Sequence, residues 1–110
     1  MSRIWTPNAG EVVWVQFDPQ VGREQAGHRP AVVLTPASYN AKSGLLLCVP
    51  LTTRIKGYPF EVPITGERSS VALADHVKSL DWRGRGATRK GQVTTDELAA
   101  IRKMLSLLIG

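Results

Sequence analysis

The sequence predicts a mainly β fold, a small barrel or strongly bent sheet of antiparallel strands with one C-terminal helix. Two observations indicate this class. Short apolar or alternating segments recur between turn residues up to residue 93, and residues 94–110 change to a helical period. The 110 residues fit a single domain, residues 1–110, because domains commonly contain about 100–150 residues.

The strand predictions rest on alternation and on apolar runs bounded by turn residues. Residues 11–17 alternate, with Val15 on one face and Trp14 on the other, which is typical of a strand. Pro50 and Pro63 fall late in their segments, and because proline cannot donate to a ladder they predict edges or bulges there. The further strands are predicted at residues 31–35, 45–52, 59–64, 70–80 and 91–93.

The C-terminal segment carries helix signals at its start and along its length. Thr94, with Glu97 three residues later, forms a capping-box motif. Apolar residues then recur at helical spacing, which predicts one face packed on the sheet. This stripe consists of Leu98, Ile101, Leu105 and Leu108.

The chain is basic, with a formal net charge of +5 and a pI of about 9.9. This balance suits a polyanion such as nucleic acid, or an acidic protein partner, and solubility alone is the alternative.

The single cysteine and the N-terminal sequence predict a reducing compartment. Cys48 lies in the apolar run LLLCVPL and has no second cysteine to pair with, and the Cys and His residues lack metal-ligand spacing. An apolar setting raises a thiol pKa, which argues against a nucleophile. The N-terminus has no apolar signal-peptide block, and no run reaches the roughly 20 apolar residues that cross a bilayer. We therefore expect a cytoplasmic protein with no metal or other cofactor.

The stretch GREQAGHRPAVVL, residues 22–34, joins a polar loop to an apolar strand. Glu24 could act as a general base, and Arg29 could hold a phosphoryl oxygen in a bidentate contact. His28 titrates near neutrality and could be acid or base. The structural alternative pairs Glu24 with Arg23 or Arg29 and packs His28 against a neighbour. Adjacent strand residues face opposite sides, so His28 should face away from nucleic acid if Arg29 contacts it.

A second polar cluster is PLTTRIKGYPF, residues 50–60. Thr52 and Thr53 end an apolar strand, where their hydroxyls could bind a phosphate. Lys56 adds positive charge, and an aromatic residue of the GYPF segment could stack on a base. The alternative is a Gly-Tyr-Pro turn with ordinary threonine capping.

A third cluster is ADHVKSLDWRGRGATRKG, residues 74–91. Strand alternation would place Asp75 on one face and both His76 and Lys78 on the other, where they could line a groove. The glycine-rich end carries four cations that would contact phosphates or belong to a solvated loop. These cations are Arg83, Arg85, Arg89 and Lys90.

These clusters fit the chemistry of RNA cleavage, because RNA carries its own nucleophile, the 2′-hydroxyl. The reaction needs a base, a cation that stabilises charge on the phosphate and an acid for the departing 5′ oxygen, and no metal is obligatory. From the residues alone two classes stay open: an RNA-cleaving enzyme and a non-catalytic binding module of SH3-like barrel type.

Beyond these patterns, the chain closely resembles the MazF/PemK toxin family, especially its MazF branch. The ordered pair of an HRPAVVL strand start and a VPLTT strand end is the most specific element. The similarity covers nearly the whole chain, through GEVVWVQFDP, GREQAGHRPAVVL, the Tyr39–Asn40 segment, LCVPLTTRIKGYPFEV, VALADHVKSLDWRGRGATRKG and the terminal LIG.

The resemblance implies a homodimer of SH3-like barrels that cleaves single-stranded RNA at a short motif, without ribosomes and without metal. It implies products with 2′,3′-cyclic phosphate and 5′-hydroxyl ends. The implied partner is a MazE-like antitoxin whose acidic, disordered tail blocks the RNA groove. A transcriptional role, with the toxin–antitoxin complex on promoter DNA, is a weaker alternative.

By the same resemblance, Arg29 and Thr52 match the family's catalytic pair, and Glu24 matches a loop acid important for activity. Because an arginine pKa exceeds about 12, we expect Arg29 to act mainly by charge stabilisation while Thr52 holds the scissile phosphate. His76 stands where the MazF pattern has an amide side chain, and Gln20 departs from the usual loop sequence. Both positions could read bases, and an ACA-like triplet is the expected cleavage motif. The residues expected to line the RNA groove are Phe17, Asp18, Gln20, Arg23, Gln25, Thr53, Lys56, Asp75, His76 and Lys78.

Overall fold

The computed structural model describes residues 5–17, 28–66 and 68–110. Within these ranges the chain alternates a few short strands with two helices. The strands are β1 (Glu11–Gln16), β2 (His28–Val33), β3 (Leu45–Thr52), β4 (Glu61–Ile64), β5 (Ser70–Leu73), β6 (Lys78–Asp81) and β7 (Thr88–Gln92). The helices are α1 (Ala37–Ser43) and α2 (Thr95–Ile109).

The strands form one antiparallel sheet in the order β4-β5-β3-β2-β1-β7, with β6 also paired to β3. Among the described residues β4 and β7 end this order without pairing to each other, so the sheet is a half-barrel. The predicted mainly β fold of antiparallel strands with a C-terminal helix is confirmed.

Strand β3 sets the bend because it pairs with three other strands. Its Leu45–Cys48 half pairs with β6, and its last two residues, Leu51 and Thr52, pair with β5. Pro50, which has no N–H to donate, lies at the point where the partner changes. Pro63 lies in β4, at the end of the strand order, where an edge was predicted. Pro50 instead lies in the interior strand β3, in regular register with β2, so the predicted edge or bulge is wrong there.

Two apolar clusters fill the two sides of the sheet. The first lies under α2, and the second lies where Trp5 and Trp82 meet edge to face, with ring centroids 6.4 Å apart. The first cluster includes Val12, Val32, Val49, Leu51, Ala72 and Ile101. The second includes Val13, Val15, Ala31, Val33, Leu46, Cys48, Leu80 and Trp82.

The predicted strand at residues 70–80 is wrong in its middle. The chain leaves the sheet after Leu73, turns with the His76 N–H donating to the Leu73 carbonyl at 3.0 Å, and re-enters the sheet at Lys78. Asp75 and His76 therefore lie in a turn, and strand alternation does not assign them to opposite faces. Apolar residues on both sides of the turn, Leu73 before it and Val77 after it, hide the interruption.

Helix α1 was not predicted. Its sequence, ASYNAKS, has no apolar period, and Asn40 is its one fully buried residue. The signals that mark it are the residues at its two ends, Pro36 at the N-cap and Gly44 at the C-cap, where Gly44 has a φ of 75°. A left-handed glycine after a helix is a common C-cap because it has no Cβ to clash.

Helix α2 begins with the predicted capping box. The Glu97 N–H donates to Thr94 Oγ1 at 3.1 Å, and the Thr94 N–H donates to Glu97 Oε1 at 2.8 Å. Ile101 is fully buried, whereas Leu108 is 47% exposed, so the predicted apolar stripe leaves the sheet before its last member. In the described part of the chain, no helix combines the length and the apolar character needed to cross a membrane.

A buried amide ties four segments together around α1. Asn40 Nδ2 donates to the Pro7 carbonyl at 2.8 Å and to the Thr35 carbonyl at 3.0 Å, and Asn40 Oδ1 accepts from Thr35 Oγ1 at 2.6 Å. Its backbone carbonyl accepts from Trp82 Nε1 at 2.9 Å. The N-terminal segment, the end of β2, α1 and the residues after β6 therefore share one hydrogen-bonded centre.

We expect Asn40→Ala to lower the free energy of unfolding by about 2–3 kcal/mol, because buried groups left without partners cost about 1–3 kcal/mol each. Urea unfolding followed by circular dichroism measures this change. Lys42→Ala, an exposed change on the same helix, is the matched control and should lie within about 0.5 kcal/mol of the parent. Equal midpoints for the two variants would contradict the structural role of Asn40.

Glu97 should make stability depend on pH. Burial raises its pKa, but hydrogen bonds from Thr94 and Thr65 outweigh this effect and lower the pKa below the ordinary 4.5. A lowered native pKa stabilises the fold above the unfolded value, and that stabilisation is lost as pH falls through the native pKa. Glu97→Gln should therefore cost stability at pH 7 and progressively less at acid pH, measured by urea unfolding. Asp96→Asn is the charge-matched control in the same helical turn, and parallel losses at all pH values for Glu97→Gln would refute the prediction.

Candidate active site

A cleft of about 810 Å³ is lined by residues of β1, by the start of β2, by the ends of β3 and β7 and by the segment between β4 and β5. It contains Arg29, Thr52 and Thr53, three of the residues predicted for catalysis or substrate binding. The described residues that line it are Val12, Trp14, His28, Arg29, Pro30, Leu51, Thr52, Thr53, Ile64, Thr65, Gly66, Arg68, Ser70, Lys90, Gly91 and Gln92.

The β2–β3 ladder explains why Arg29 and Thr52 meet in this cleft. The ladder pairs Ala31 with Pro50. Arg29 precedes Ala31 by two residues and Thr52 follows Pro50 by two, so the antiparallel register brings both residues to the same end of the sheet. Residues separated by 23 positions in the sequence thus share one cleft.

The Thr52 hydroxyl is held in place by its own backbone. Thr52 Oγ1 accepts from the Arg54 N–H at 3.0 Å, a local turn in which a threonine hydroxyl satisfies a backbone donor. The oxygen is occupied as an acceptor, and the hydroxyl proton stays available. In the cleft, Thr52 can therefore donate a hydrogen bond to an anionic oxygen.

Positive charge dominates the cleft. Its described lining contains three basic side chains, those of Arg29, Arg68 and Lys90, and no carboxylate. The ion pairs found among residues 5–17, 28–66 and 68–110 are Arg89 with Glu11 and His76 with Asp75, so they use none of these three cations. A polyanion can thus approach described cations that need not first release an acidic partner.

Lys90 reaches the cleft through a β-bulge. Val12 pairs with Gly91 and Val13 pairs with Arg89, which leaves Lys90 as the extra residue of β7. A bulge re-aims side chains and increases local twist. Lys90 Nζ lies 5.3 Å from the ring centroid of Trp14, which is 37% exposed and lines the same cleft.

Trp14 and Arg68 were not predicted as site residues, whereas Lys90 was one of four cations predicted either to contact phosphates or to belong to a solvated loop. Alternation places Trp14 opposite the buried Val13 and Val15, which is a signal for an exposed aromatic residue on a strand. Nothing in the sequence marks the bulge at Lys90. Arg68 sits in an irregular segment whose path depends on the tertiary fold.

Strand alternation predicted that His28 faces away from Arg29, but the two residues line the same cleft. His28 is exposed, and both residues contribute atoms to the cleft. Its Nε2 lies 4.0 Å from the point where a Cβ on Gly86 would stand, so the imidazole approaches the turn between β6 and β7. At the first residue of a strand, facing is less constrained than in the middle.

The remaining groove predictions fall outside this cleft or outside the described residues. Phe17 packs on the second apolar cluster, and Lys56 Nζ lies 5.7 Å from the Tyr58 ring centroid. The exposed Asp75 and His76, 3.7 Å apart, lie in the β5–β6 turn, and Lys78 pairs with Cys48 in the sheet. Glu24, Asp18, Gln20, Arg23 and Gln25 lie outside the described residues.

The glycine-interleaved cations serve mainly the fold. The Arg83 guanidinium carbon lies 4.2 Å from the Trp82 ring centroid, and Arg85 Nη1 donates to the Gln16 carbonyl at 3.1 Å. Arg89 Nε pairs with Glu11 Oε2 at 2.9 Å. Of the four cations in this stretch, Lys90 lines the cleft.

Cys48 is an inert core residue. Burial raises the pKa of its thiol to about 12, against a smaller lowering by the Lys78 and Arg85 cations. The neutral thiol is the form present near neutrality, and a neutral thiol is a poor nucleophile. In the described ranges no three His, Cys, Asp or Glu side chains group as metal ligands would.

Known proteins with similar sequences and structures belong to one family. The family model for PemK-like and MazF-like toxins of type II toxin–antitoxin systems matches residues 8–109. The chain is 59% identical over 107 residues to the endoribonuclease toxin MazF of Escherichia coli K12, covering 96% of each chain. It is 30% identical to the endoribonuclease PemK of Escherichia coli, covering 91% of this chain and 80% of that protein.

Solved structures agree with the sequence comparison. The crystal structure of MazF from Deinococcus radiodurans matches with a TM-score of 0.88 at 49% identity, covering 97% of this chain and 99% of that one. A chain in a MazE–MazF crystal structure from the same organism matches with a TM-score of 0.89 at 49% identity, covering 97% and 98%. The chain with the Arg29–Thr52 cleft is therefore a homologue of the endoribonuclease MazF and belongs to the MazF/PemK toxin family.

Proposed function

We propose that this toxin cleaves single-stranded RNA at a short sequence motif, independently of ribosomes and of metal, and thereby inhibits translation and growth. The observation that carries the proposal is the joint position of Arg29, Thr52 and Thr53 in a cationic cleft of a MazF homologue. An ACA-like triplet is the proposed motif.

The proposed reaction is an internal transesterification. The 2′ oxygen loses its proton and attacks the adjacent phosphorus, the bond from phosphorus to the 5′ oxygen breaks, and the 5′ oxygen takes up a proton. The products are a 2′,3′-cyclic phosphate and a free 5′-hydroxyl. Negative charge builds on the phosphoryl oxygens during the attack, so groups that hold those oxygens stabilise the transition state.

Arg29 and Thr52 fit the charge-stabilising part of this reaction. A guanidinium presents several N–H donors in a fixed plane and stays protonated, so Arg29 can hold two phosphoryl oxygens at once. The Thr52 hydroxyl, already anchored by the Arg54 N–H, can donate to one of them. Glu24 is proposed as the third catalytic residue, acting as base or as the group that orients another base.

The remaining groove residues predicted from the sequence stay proposals for substrate binding. With them, the proposed binding surface would extend beyond the cleft, and Asp18, Gln20, Arg23 and Gln25 are proposed as part of it. We propose a homodimer with a MazE-like antitoxin as its protein partner, acting in the cytoplasm. Promoter DNA is the further ligand proposed for the toxin–antitoxin complex.

Purified protein should cut single-stranded RNA in the presence of EDTA. The expected new ends are a 2′,3′-cyclic phosphate and a 5′-hydroxyl, mapped by ligation-based sequencing with and without prior end repair. The same sequencing of total RNA gives the motif. A folded protein that binds single-stranded RNA but cuts none would favour a non-catalytic binding module, and cleavage abolished by EDTA and restored by a divalent metal would overturn metal independence.

Arg29→Ala and Thr52→Val should each lower the cleavage rate by about 10²–10³-fold, the typical loss when one donor to a developing oxyanion is removed. Arg29→Lys keeps the charge without the planar fork and should recover only part of the rate. Thr52→Ser keeps the hydroxyl and should recover most of it. Single-turnover cleavage of a defined oligonucleotide measures these rates, and a Thr52→Val enzyme that cuts at the parent rate would remove Thr52 from the site.

A further inference from the structure

We propose that Trp14 is a stacking platform for the nucleotide base next to the scissile phosphate, and that Lys90 covers this platform until RNA binds. The inference deepens the proposed RNA-cleaving function and rests on it. It assigns Trp14 and Lys90 to substrate binding, alongside the residues predicted from the sequence.

Trp14 differs from the other described tryptophans in its surroundings. Trp82 is buried, and its ring meets that of Trp5 edge to face within the second apolar cluster. Trp14 lies on a strand, 37% exposed, and faces a cleft lined by cations. Positive groups beside an accessible aromatic face are the combination used to bind single-stranded nucleic acid.

The register places this platform beside the proposed catalytic arginine. Trp14 pairs with Pro30, the residue that follows Arg29. Strands about 4.8 Å apart with a rise of about 3.3 Å per residue put the Cα atoms of Trp14 and Arg29 about 6 Å apart. Arg29 itself pairs with Val15, so strand alternation directs the Arg29 and Trp14 side chains to opposite faces of the sheet. Both residues nevertheless line the one cleft at the end of the strands, so a base stacked on Trp14 would belong to a nucleotide close to the phosphate held by Arg29.

Lys90 covers the ring weakly enough to be displaced. Its Nζ lies 5.3 Å from the Trp14 centroid, and an exposed cation–π contact contributes about two- to fivefold to an equilibrium. Stacking of a base on an aromatic side chain contributes about five- to 150-fold. The base should thus replace the ammonium group, and Lys90, which has no ion pair among the described residues, would move to a nearby phosphate.

Tryptophan fluorescence tests the platform directly. We would titrate the protein with a mixed-sequence 2′-O-methyl RNA, which has no free 2′-hydroxyl and cannot be cut. Binding should change the emission of the parent protein, and Trp14→Phe should bind within about threefold but lose that change. Saturated binding with unchanged emission in the parent would overturn the proposal.

Affinity gives the second readout. Trp14→Leu should weaken binding about tenfold, whereas Tyr39→Leu, an exposed aromatic on α1 away from the cleft, should leave it unchanged. Equal binding by folded Trp14→Leu and the parent would refute stacking. If Trp14→Leu does not fold, the fluorescence titration decides.

An abasic scan then identifies the stacked nucleotide. One base at a time is removed from the 2′-O-methyl RNA, and one position should cost the parent about tenfold and cost Trp14→Leu nothing further. If the affinity lost on removing a base were the same in Trp14→Leu as in the parent at every position, Trp14 would contact no base.

Lys90 is tested by salt dependence. A lysine that moves to a phosphate should steepen the dependence of binding on salt, so Lys90→Gln should reduce the slope of log K against log[salt] by about 0.7. Lys42→Gln, on α1, is the matched control and should keep the parent slope. An unchanged slope for Lys90→Gln would remove Lys90 from the phosphate contacts.

The outcomes separate this inference from the proposed function. Cleavage of RNA with no fluorescence change and no loss in Trp14→Leu would leave the nuclease and reject the platform. A clear fluorescence change with no cleavage of any RNA would keep the platform and reject the nuclease.

Discussion

The three-way pairing of β3 is the constraint on which the cleft depends. This strand of eight residues pairs with β2 along one edge and with β6 and then β5 along the other, and Pro50 lies between the β6 and β5 pairings. This arrangement bends the sheet and brings the end of β3 against the start of β2. Arg29 and Thr52 occupy those two ends, so a polar pair is positioned by strands whose inner residues are buried and rigid.

The polar centre at Asn40 supports the same arrangement from the other side. Thr35 Oγ1 donates to Asn40 and accepts from the Leu47 N–H at 3.1 Å, so this polar centre connects directly to the first half of β3. A half-barrel leaves the outer sides of its edge strands unpaired, so fewer backbone hydrogen bonds constrain it than constrain a closed barrel. Buried hydrogen bonds that cross between segments supply part of the missing constraint.

Sequence patterns predicted the elements in which the spacing of apolar residues matches the spacing of buried positions. The strands at β1 and β3 and the capped helix α2 carry alternation, bounded apolar runs or a Thr94–Glu97 motif, and each is present. The break after Leu73 was missed because a short turn between two strand-like segments leaves no periodic signal. The helix around Asn40 was missed because its one buried residue is polar, which leaves no apolar period either. Family resemblance supplied the pairing of Arg29 with Thr52, which neither composition nor spacing provides.

In the cleft, the residues that would attract a polyanion by charge differ from those that would recognise RNA. Three described cations with no described carboxylate attract any polyanion, whether RNA or the acidic tail of an antitoxin, and salt weakens both in the same way. Under the proposed function, the two ligands would compete for Arg29 and Lys90 through charge alone. Under the same proposals, a ligand with bases would stack on the face of Trp14, and RNA with a 2′-hydroxyl would react beside Thr52. In this proposal charge would bring the polyanion to the cleft, while stacking and the internal nucleophile would decide which polyanion is cut.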